Sequence, residues 1–171
     1  LQPGHSVPKH EHKNMEILGY VVNGPCHHWD NLGNDCDADS GTVQRMSSGR
    51  SIWHTEGNLS DYPIRYLQLW IKPANSGHGT PPEYTQQNFT REQKLNNFCA
   101  IAGPTGPIVI KQDARVWAGI FTDNYQYSIN YLKKYYLYII SGQVTVNGTR
   151  ATEGDGFSFE SESEVVLTNC T

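Results

Sequence analysis

Short apolar runs recur along the chain, and almost no stretch has the period of a helix. The runs favour Val, Ile, Tyr, Phe and Trp, which are typical of β-strands. Gly, Asn, Asp or Pro separates most of them, as expected for turns. The pattern predicts strands at residues 15–22, 42–46, 65–72, 107–111, 116–122, 125–131, 135–140, 143–146, 156–160 and 164–168. Many short strands at close spacing indicate an all-β sandwich or small barrel.

Two local signals add to this pattern of strands, one for a tight turn and one for a short helix. Asn147-Gly148 stands between two β-type runs and predicts a hairpin, because these residues accept the positive φ angles of a tight turn. Residues 90–97 form the one plausible helix, which is polar and short. This segment indicates a connector between two β units. We therefore expect domains at residues 1–90 and 91–171.

Length and charge restrict the function classes. The 171 residues fit one compact domain or two small fused ones. The net charge of -4 disfavours direct binding of nucleic acid, because an acidic surface repels a phosphate backbone. No apolar run approaches the length that spans a bilayer, and the residues after Leu1 lack a signal-peptide pattern. We expect a cytoplasmic protein that does not contact the membrane.

Cysteines and glycosylation sequons add little to this picture. The cysteine spacing matches no zinc or redox motif, so we expect idle thiols at Cys26, Cys36, Cys99 and Cys170. The sequons leave secretion open as an alternative; they begin at Asn58, Asn88 and Asn147.

The histidines carry the strongest chemical signal. All seven lie within the first 78 residues, a bias for which metal binding is the commonest cause. His10 and His12 are two residues apart, as are His54 and Glu56, and such pairs share one face of a strand. If the two strands are neighbours, four donors converge. Three imidazoles and one carboxylate suit a single divalent ion of Fe, Ni, Mn, Cu or Zn.

The sequence around these donors resembles the metal motifs of pirin-like bicupins. Residues 10–24 resemble the first motif, residues 28–34 its continuation, and residues 41–56 the second motif. Residues 65–71 resemble the following strand, and residues 138–167 resemble part of the second cupin unit. The resemblance is to the bacterial pirin-like quercetin dioxygenases in particular.

This resemblance implies a bicupin, that is, two cupin (jelly-roll) β-barrels. The N-terminal cupin would bind one metal ion and the C-terminal cupin none. The implied ligands are His10, His12, His54 and Glu56. Glu16 matches the carboxylate position of cupins at large, and we expect it to line the site instead. Because only nine residues precede His10, where the family usually has some tens, we expect that the first barrel is incomplete.

The implied activity is a metal-dependent dioxygenase that cleaves flavonols such as quercetin with molecular oxygen, using Glu56 as the catalytic residue. Its partners would be a small aromatic substrate and oxygen. The alternative is a non-catalytic metal-binding protein, acting as a co-regulator, a protein-interaction module or an assembly component. A homo-oligomer or a protein partner is compatible with either function.

Some aromatic residues near the motifs have two interpretations. We expect Trp53, Tyr66 and Trp70 to pack on the sheets, with pocket lining as the alternative. His27 and His28 follow a Gly-Pro turn, and we expect them in a surface loop.

Overall fold

The computed structural model describes residues 1–171, apart from the side chain of Ser76. It confirms an all-β protein. The chain forms two compact units, of which the first comprises residues 1–91 and 99–118 and the second residues 92–98 and 119–171. Among the described residues, no helix combines the length and apolar character required to cross a bilayer.

The first unit consists of three sheets. Its strands are β1 (Ser6–His12), β2 (Glu16–Asn23), β3 (Cys26–Asp30), β4 (Asp35–Ala38), β5 (Thr42–Ser47), β6 (Ile52–Gly57), β7 (Arg65–Ile71), β8 (Glu83–Asn88), β9 (Cys99–Gly103), β10 (Ile108–Val109) and β11 (Val116–Ala118). One sheet has the order β1-β6-β3-β4, the second β7-β2-β5-β8 and the third β10-β9-β11. A short 3-10 turn, Asn75–Gly77, follows β7. The first two sheets carry the polar residues discussed below.

Apolar side chains of the second and third sheets form the main core of the first unit. Leu18 and Val43, from β2 and β5, pack with Ile101 and Ile108 of β9 and β10. All four side chains are almost fully buried. Residues 99–118 thus belong to this unit by their contacts, although they lie beyond the sequence-based boundary at residue 90. The assignment of residues 1–90 and 91–171 to two separate cupins stays a prediction.

The second unit contains two smaller sheets. Its strands are β12 (Tyr125–Ser128), β13 (Tyr135–Tyr138), β14 (Gln143–Val146), β15 (Thr149–Thr152), β16 (Gly156–Phe159) and β17 (Glu164–Thr168). They form the sheets β12-β17-β14-β15 and β13-β16. Val146, Phe159 and Leu167 contribute to its core.

Both local signals of the sequence appear in the structure. Asn147 and Gly148, with φ angles of 44° and 82°, connect β14 to β15, which confirms the hairpin. The helix α1 (Arg91–Lys94) is shorter than the predicted residues 90–97. Left-handed backbone at Asn96, with φ 49°, follows its last turn.

We expect that Leu18→Ala lowers the free energy of unfolding by about 2–5 kcal/mol, because it leaves a cavity in the core of the first unit. All four tryptophans, Trp29, Trp53, Trp70 and Trp117, lie in this unit, so denaturant titration followed by tryptophan fluorescence reports on it.

Leu59→Ala is the matched control, since this leucine is 73% exposed in the same unit. It should change the stability by less than about 0.5 kcal/mol. Equal effects of the two substitutions would contradict the assigned core.

Candidate metal centre

Strand β6 lies between β1 and β3, and its pairing register assembles the polar site. His54 is the cross-strand partner of His10 on β1 and of Asp30 on β3. Glu56 is the partner of His28 on β3. Directly paired residues project to the same face of an antiparallel sheet. The register alone therefore gathers these five side chains on one face.

The alternation of side chains decides which of these residues are buried. On β6, Ile52, His54 and Glu56 are buried, whereas Trp53 between them is exposed. His12 is buried at the end of β1, and His10 is half-buried. The histidine cluster therefore extends from the interior of the first unit to a position that solvent reaches at His10.

The three predicted histidine ligands meet at their Nε2 atoms. The Nε2 of His10 lies 2.9 Å from the Nε2 of His12 and 3.1 Å from that of His54. One nitrogen from each ring lies within 4.8 Å of the other two. The Nδ1 of His10 lies 2.8 Å from the carbonyl oxygen of Pro8, to which it donates as the N–H, leaving the Nε2 lone pair toward the cluster.

Burial keeps the imidazoles of His12 and His54 neutral. It lowers the pKa of His54 to about 3, and the neighbouring His10 and His12 contribute to this shift. Burial, together with His10, also lowers the pKa of His12. A metal ion binds the deprotonated ring, so these two histidines are ready to bind one near neutral pH. The residues present thus fit a divalent transition metal.

Glu56 lies next to the histidine cluster and has its own polar contacts. The hydroxyl of Tyr66 donates to Oε2 at 2.8 Å, and Nε2 of Gln68 donates to both carboxylate oxygens at 3.1 Å. Burial raises the pKa of Glu56, against the lowering effect of the Tyr66 hydrogen bond. Oε1 lies 3.8 Å from Nδ1 of His54.

Two overlapping groups of metal-type donors thus share His54. The first contains His10, His12 and His54, and the second contains His28, His54 and Glu56. Among the described side chains, Glu56 belongs to the second group and not to the first. Glu56 faces the Nδ1 side of His54, whereas the other two histidines face its Nε2 side. The role of Glu56 as the fourth ligand therefore remains a prediction.

Glu16, the alternative carboxylate, is engaged elsewhere. It is buried on β2, where Nε of Arg45 donates to it at 3.0 Å and the hydroxyl of Ser47 at 2.5 Å. Arg45 in turn contacts Glu83 at 2.8 Å. A carboxylate with this ion pair is a poor candidate for a metal ligand, because binding a metal would leave the buried guanidinium with the half-exposed Glu83 as its remaining carboxylate partner.

The prediction of a surface loop for His28 was wrong. His28 is fully buried on β3, where its Nε2 lies 3.0 Å from Oδ2 of the buried Asp30. His27 belongs to the same strand and is half-buried, with its nitrogens near Asp35 and Asp37. The missed signal is the alternation of Cys26, His28 and Asp30, which is that of a strand with one buried face.

Strand β7 supplies the aromatic residues of the site. Tyr66, Gln68 and Trp70 alternate along it; Tyr66 and Gln68 contact Glu56, and the Trp70 ring packs edge-on against His12 at 5.0 Å. Nε1 of Trp70 donates to Oε1 of Gln68 at 2.7 Å. Tyr66 and Trp70 thus contact the site, whereas Trp53 lies on the opposite face of β6. Gln68 had not been singled out in the sequence.

The four cysteines are free thiols and lie outside both donor groups. Burial raises the pKa of Cys26 to about 12, so this thiol stays protonated. The sequon at Asn58 is buried, and its side-chain amide donates to the carbonyl oxygens of Leu1 and Tyr62. Asn58 therefore has a structural role.

Two family models match the chain. The model described as Pirin matches residues 1–71, and the model described as Quercetinase C-terminal cupin domain matches residues 100–171. The first match contains all four predicted ligands.

Individual relatives match over nearly the whole chain. A quercetin 2,3-dioxygenase of Escherichia coli K12 is 31% identical over 180 residues, covering 98% of this chain and 77% of the relative. A pirin-like protein of Caulobacter vibrioides is 32% identical over 174 residues, covering 98% of this chain and 74% of the relative.

A solved structure agrees with these matches. The crystal structure of the bacterial pirin YhhW from Escherichia coli in complex with nickel(II) superposes with a TM-score of 0.86 at 27% identity. The match covers 99% of this chain and 75% of that one. Sequence motifs, family models and fold agree, and the chain belongs to the pirin-like family of bicupin proteins.

Proposed function

We propose that this protein is a metal-dependent dioxygenase that cleaves a flavonol, such as quercetin, with molecular oxygen. The observation that carries the proposal is the convergence of three imidazole nitrogens beside a buried carboxylate. His10, His12 and His54 would hold one divalent ion, with Glu56 as the fourth ligand. The name of the Escherichia coli relative supports the reaction, and the nickel(II) complex of YhhW makes nickel the first ion to test.

The bound ion would supply positive charge that acidifies the 3-hydroxyl of the flavonol and a redox centre for the reaction with oxygen. Glu56 is the residue that takes the hydroxyl proton. Oε2 already accepts the Tyr66 hydroxyl, so we assign the proton to Oε1. The burial that raises the pKa of Glu56 helps it to hold this proton.

The overall reaction would insert both oxygen atoms into the flavonol, open its central ring and release carbon monoxide. The polar partners of Glu56 position the carboxylate for the first proton transfer. Tyr66 and Gln68 fix both of its oxygens, and Trp70 orients Gln68 through its indole N–H. Positioning of this kind lowers the barrier, because it restricts the orientations that the carboxylate can adopt.

The half-buried side of the site suits a flat aromatic substrate. Trp70 is 58% exposed next to His12, and His10 is half-buried beside them. An aromatic ring that approaches the histidines from solvent would meet the Trp70 side chain. Stacking on such a ring contributes about 0.5–1.5 kcal/mol beyond the area that it buries.

We expect that the purified protein binds about one equivalent of nickel(II), measured by elemental analysis after desalting, and that His10→Ala lowers this content at least tenfold. The reason is that three converging imidazoles bind a divalent ion far more tightly than two. Fully retained metal in His10→Ala would contradict the proposed site.

His5→Ala is the matched control for this measurement. His5 is exposed on the same N-terminal segment, and its Nδ1 contacts the carbonyl oxygen of Pro3 just as His10 contacts Pro8. It lies in neither donor group, so its replacement should leave the metal content unchanged.

We expect oxygen uptake with quercetin in the metal-loaded protein, compared across Fe, Ni, Mn, Cu and Zn. Glu56→Gln should reduce the rate by about 10²–10⁴-fold, because it removes the proton acceptor. Glu11→Gln is the control, since Glu11 lies on β1 between the two histidines and bonds outward to Ser51 and Lys13.

Metal content is measured on the same samples, which separates a lost base from a lost ion. Stoichiometric metal without oxygen uptake with any of these ions would contradict the dioxygenase and favour the non-catalytic metal-binding protein. If Glu56→Gln retained its full metal content and its full rate of oxygen uptake, Glu56 would not be the base.

A further inference from the structure

A buried histidine–aspartate pair lies behind His54, on the side away from His10. His28 and Asp30 are both fully buried on β3, and Nε2 of His28 lies 3.0 Å from Oδ2 of Asp30. Asp30 also accepts the backbone N–H groups of Leu32 and Asn34 and the side-chain amide of Asn34. Asp30 thus acts only as an acceptor, so His28 carries its proton on Nε2.

This tautomer leaves a lone pair on the other nitrogen of His28. Stacking on the ring of Tyr84, with centroids 4.4 Å apart and planes inclined by 14°, holds the imidazole in place. Nδ1 of His28 and Nδ1 of His54 are both buried, and neither has a hydrogen-bond partner among the described protein atoms. A buried polar atom without a partner costs about 1–3 kcal/mol. Two such atoms, on rings whose centroids lie 5.7 Å apart, therefore point to a bound molecule.

The spacing of the surrounding groups suits a single water. One nitrogen of His28, one of His54 and one oxygen of Glu56 lie within 4.8 Å of one another. Nδ1 of His54 and Oε1 of Glu56 are 3.8 Å apart, which is too far for a direct hydrogen bond. Polar groups at such separations are typically bridged by water, and a buried water usually has two to four polar partners.

We propose that His28, His54 and Glu56 bind one internal water molecule, and that through it the His28–Asp30 pair sets the tautomer of His54. The water accepts the Nδ1–H of His54 and donates to the Nδ1 lone pair of His28. Its second hydrogen faces the Glu56 carboxylate. His54 is thereby held with its Nε2 lone pair toward His10 and His12, which makes His28 and Asp30 positioning residues for the metal site.

The inference rests on the proposed metal site, but its first test requires neither metal nor activity. In ¹⁵N-histidine NMR spectra of the metal-free protein, His54 should be the Nδ1–H tautomer. His28→Leu removes the acceptor, and both tautomers of His54 should then be populated. His27→Leu is the control on the same strand, because its side chain contacts Asp35 and Asp37 instead; it should leave His54 unchanged.

The second test measures nickel(II) affinity by competition with a chromophoric chelator. His28→Leu should weaken binding about 10–100-fold, as expected when the group that orients a ligating histidine is lost. His28→Gln keeps an acceptor oxygen and should recover part of the affinity, which a purely structural role would not predict. If His28→Leu does not fold, Asp30→Asn replaces it, with the same direction expected for tautomer and affinity.

Unchanged His54 tautomer and unchanged nickel affinity in His28→Leu or Asp30→Asn would overturn the inference. The inference would also be overturned if the unmodified protein bound two nickel ions per chain and His28→Leu bound one. A cation would then occupy the place of the water. Absence of quercetin oxidation would refute the dioxygenase and leave this inference intact. Full metal retention in His10→Ala would refute the proposed ligand set without changing the NMR result.

Discussion

The pairing register of β6 is the constraint on which the rest of the site depends. Side chains alternate along a strand, so a shift of one residue against β1 and β3 would turn His54 and Glu56 to the outer face. Trp53 and Thr55 would replace them inside. An irregularity between Val7 and His10 adjusts the pairing of β1 just before the histidines that face His54. The same register that forms the sheet thus also forms the candidate metal site.

Burying so many polar groups costs free energy of folding unless each group finds a hydrogen-bond or ion-pair partner. In the first unit these hydrogen-bond partners come from other strands, either of the same sheet or of another one. Arg45 and Ser47 satisfy Glu16, while Tyr66 and Gln68 satisfy Glu56. The three imidazoles differ, because their Nε2 atoms face one another and neutral rings cannot all donate within the cluster. A bound cation would satisfy all three lone pairs together, which is the physical reason for preferring a metal site to a structural cluster.

The sequence predicted most of the apolar strands, although it missed β9, and it predicted the polar strands poorly. Apolar runs located β2, β5 and β7, because their Val, Ile and Leu residues are typical of buried strands. The polar strands β3 and β8 gave no such signal. His28 was therefore assigned to a loop after Gly24-Pro25, although it is a core residue.

Parts of the site could be predicted because they depend only on spacing within one strand. The pairs His10/His12 and His54/Glu56 are of this kind, as is the alternation of Tyr66, Gln68 and Trp70, which was overlooked. Contacts between strands could not be predicted, including those of Tyr84 with His28 and of Arg45 with Glu16. Family membership leaves the activity open as well, since one fold supports several functions and the site's chemistry decides among them.

Anomalous X-ray diffraction from crystals of the nickel-loaded protein, collected at the nickel absorption edge, locates the bound ion and identifies its ligands. We expect one strong peak per chain, at bonding distance from Nε2 of His10, His12 and His54 and from a carboxylate oxygen of Glu56. A peak coordinated by other residues, or a peak at the histidines with Glu56 still turned away toward Tyr66 and Gln68, would contradict the four-ligand site.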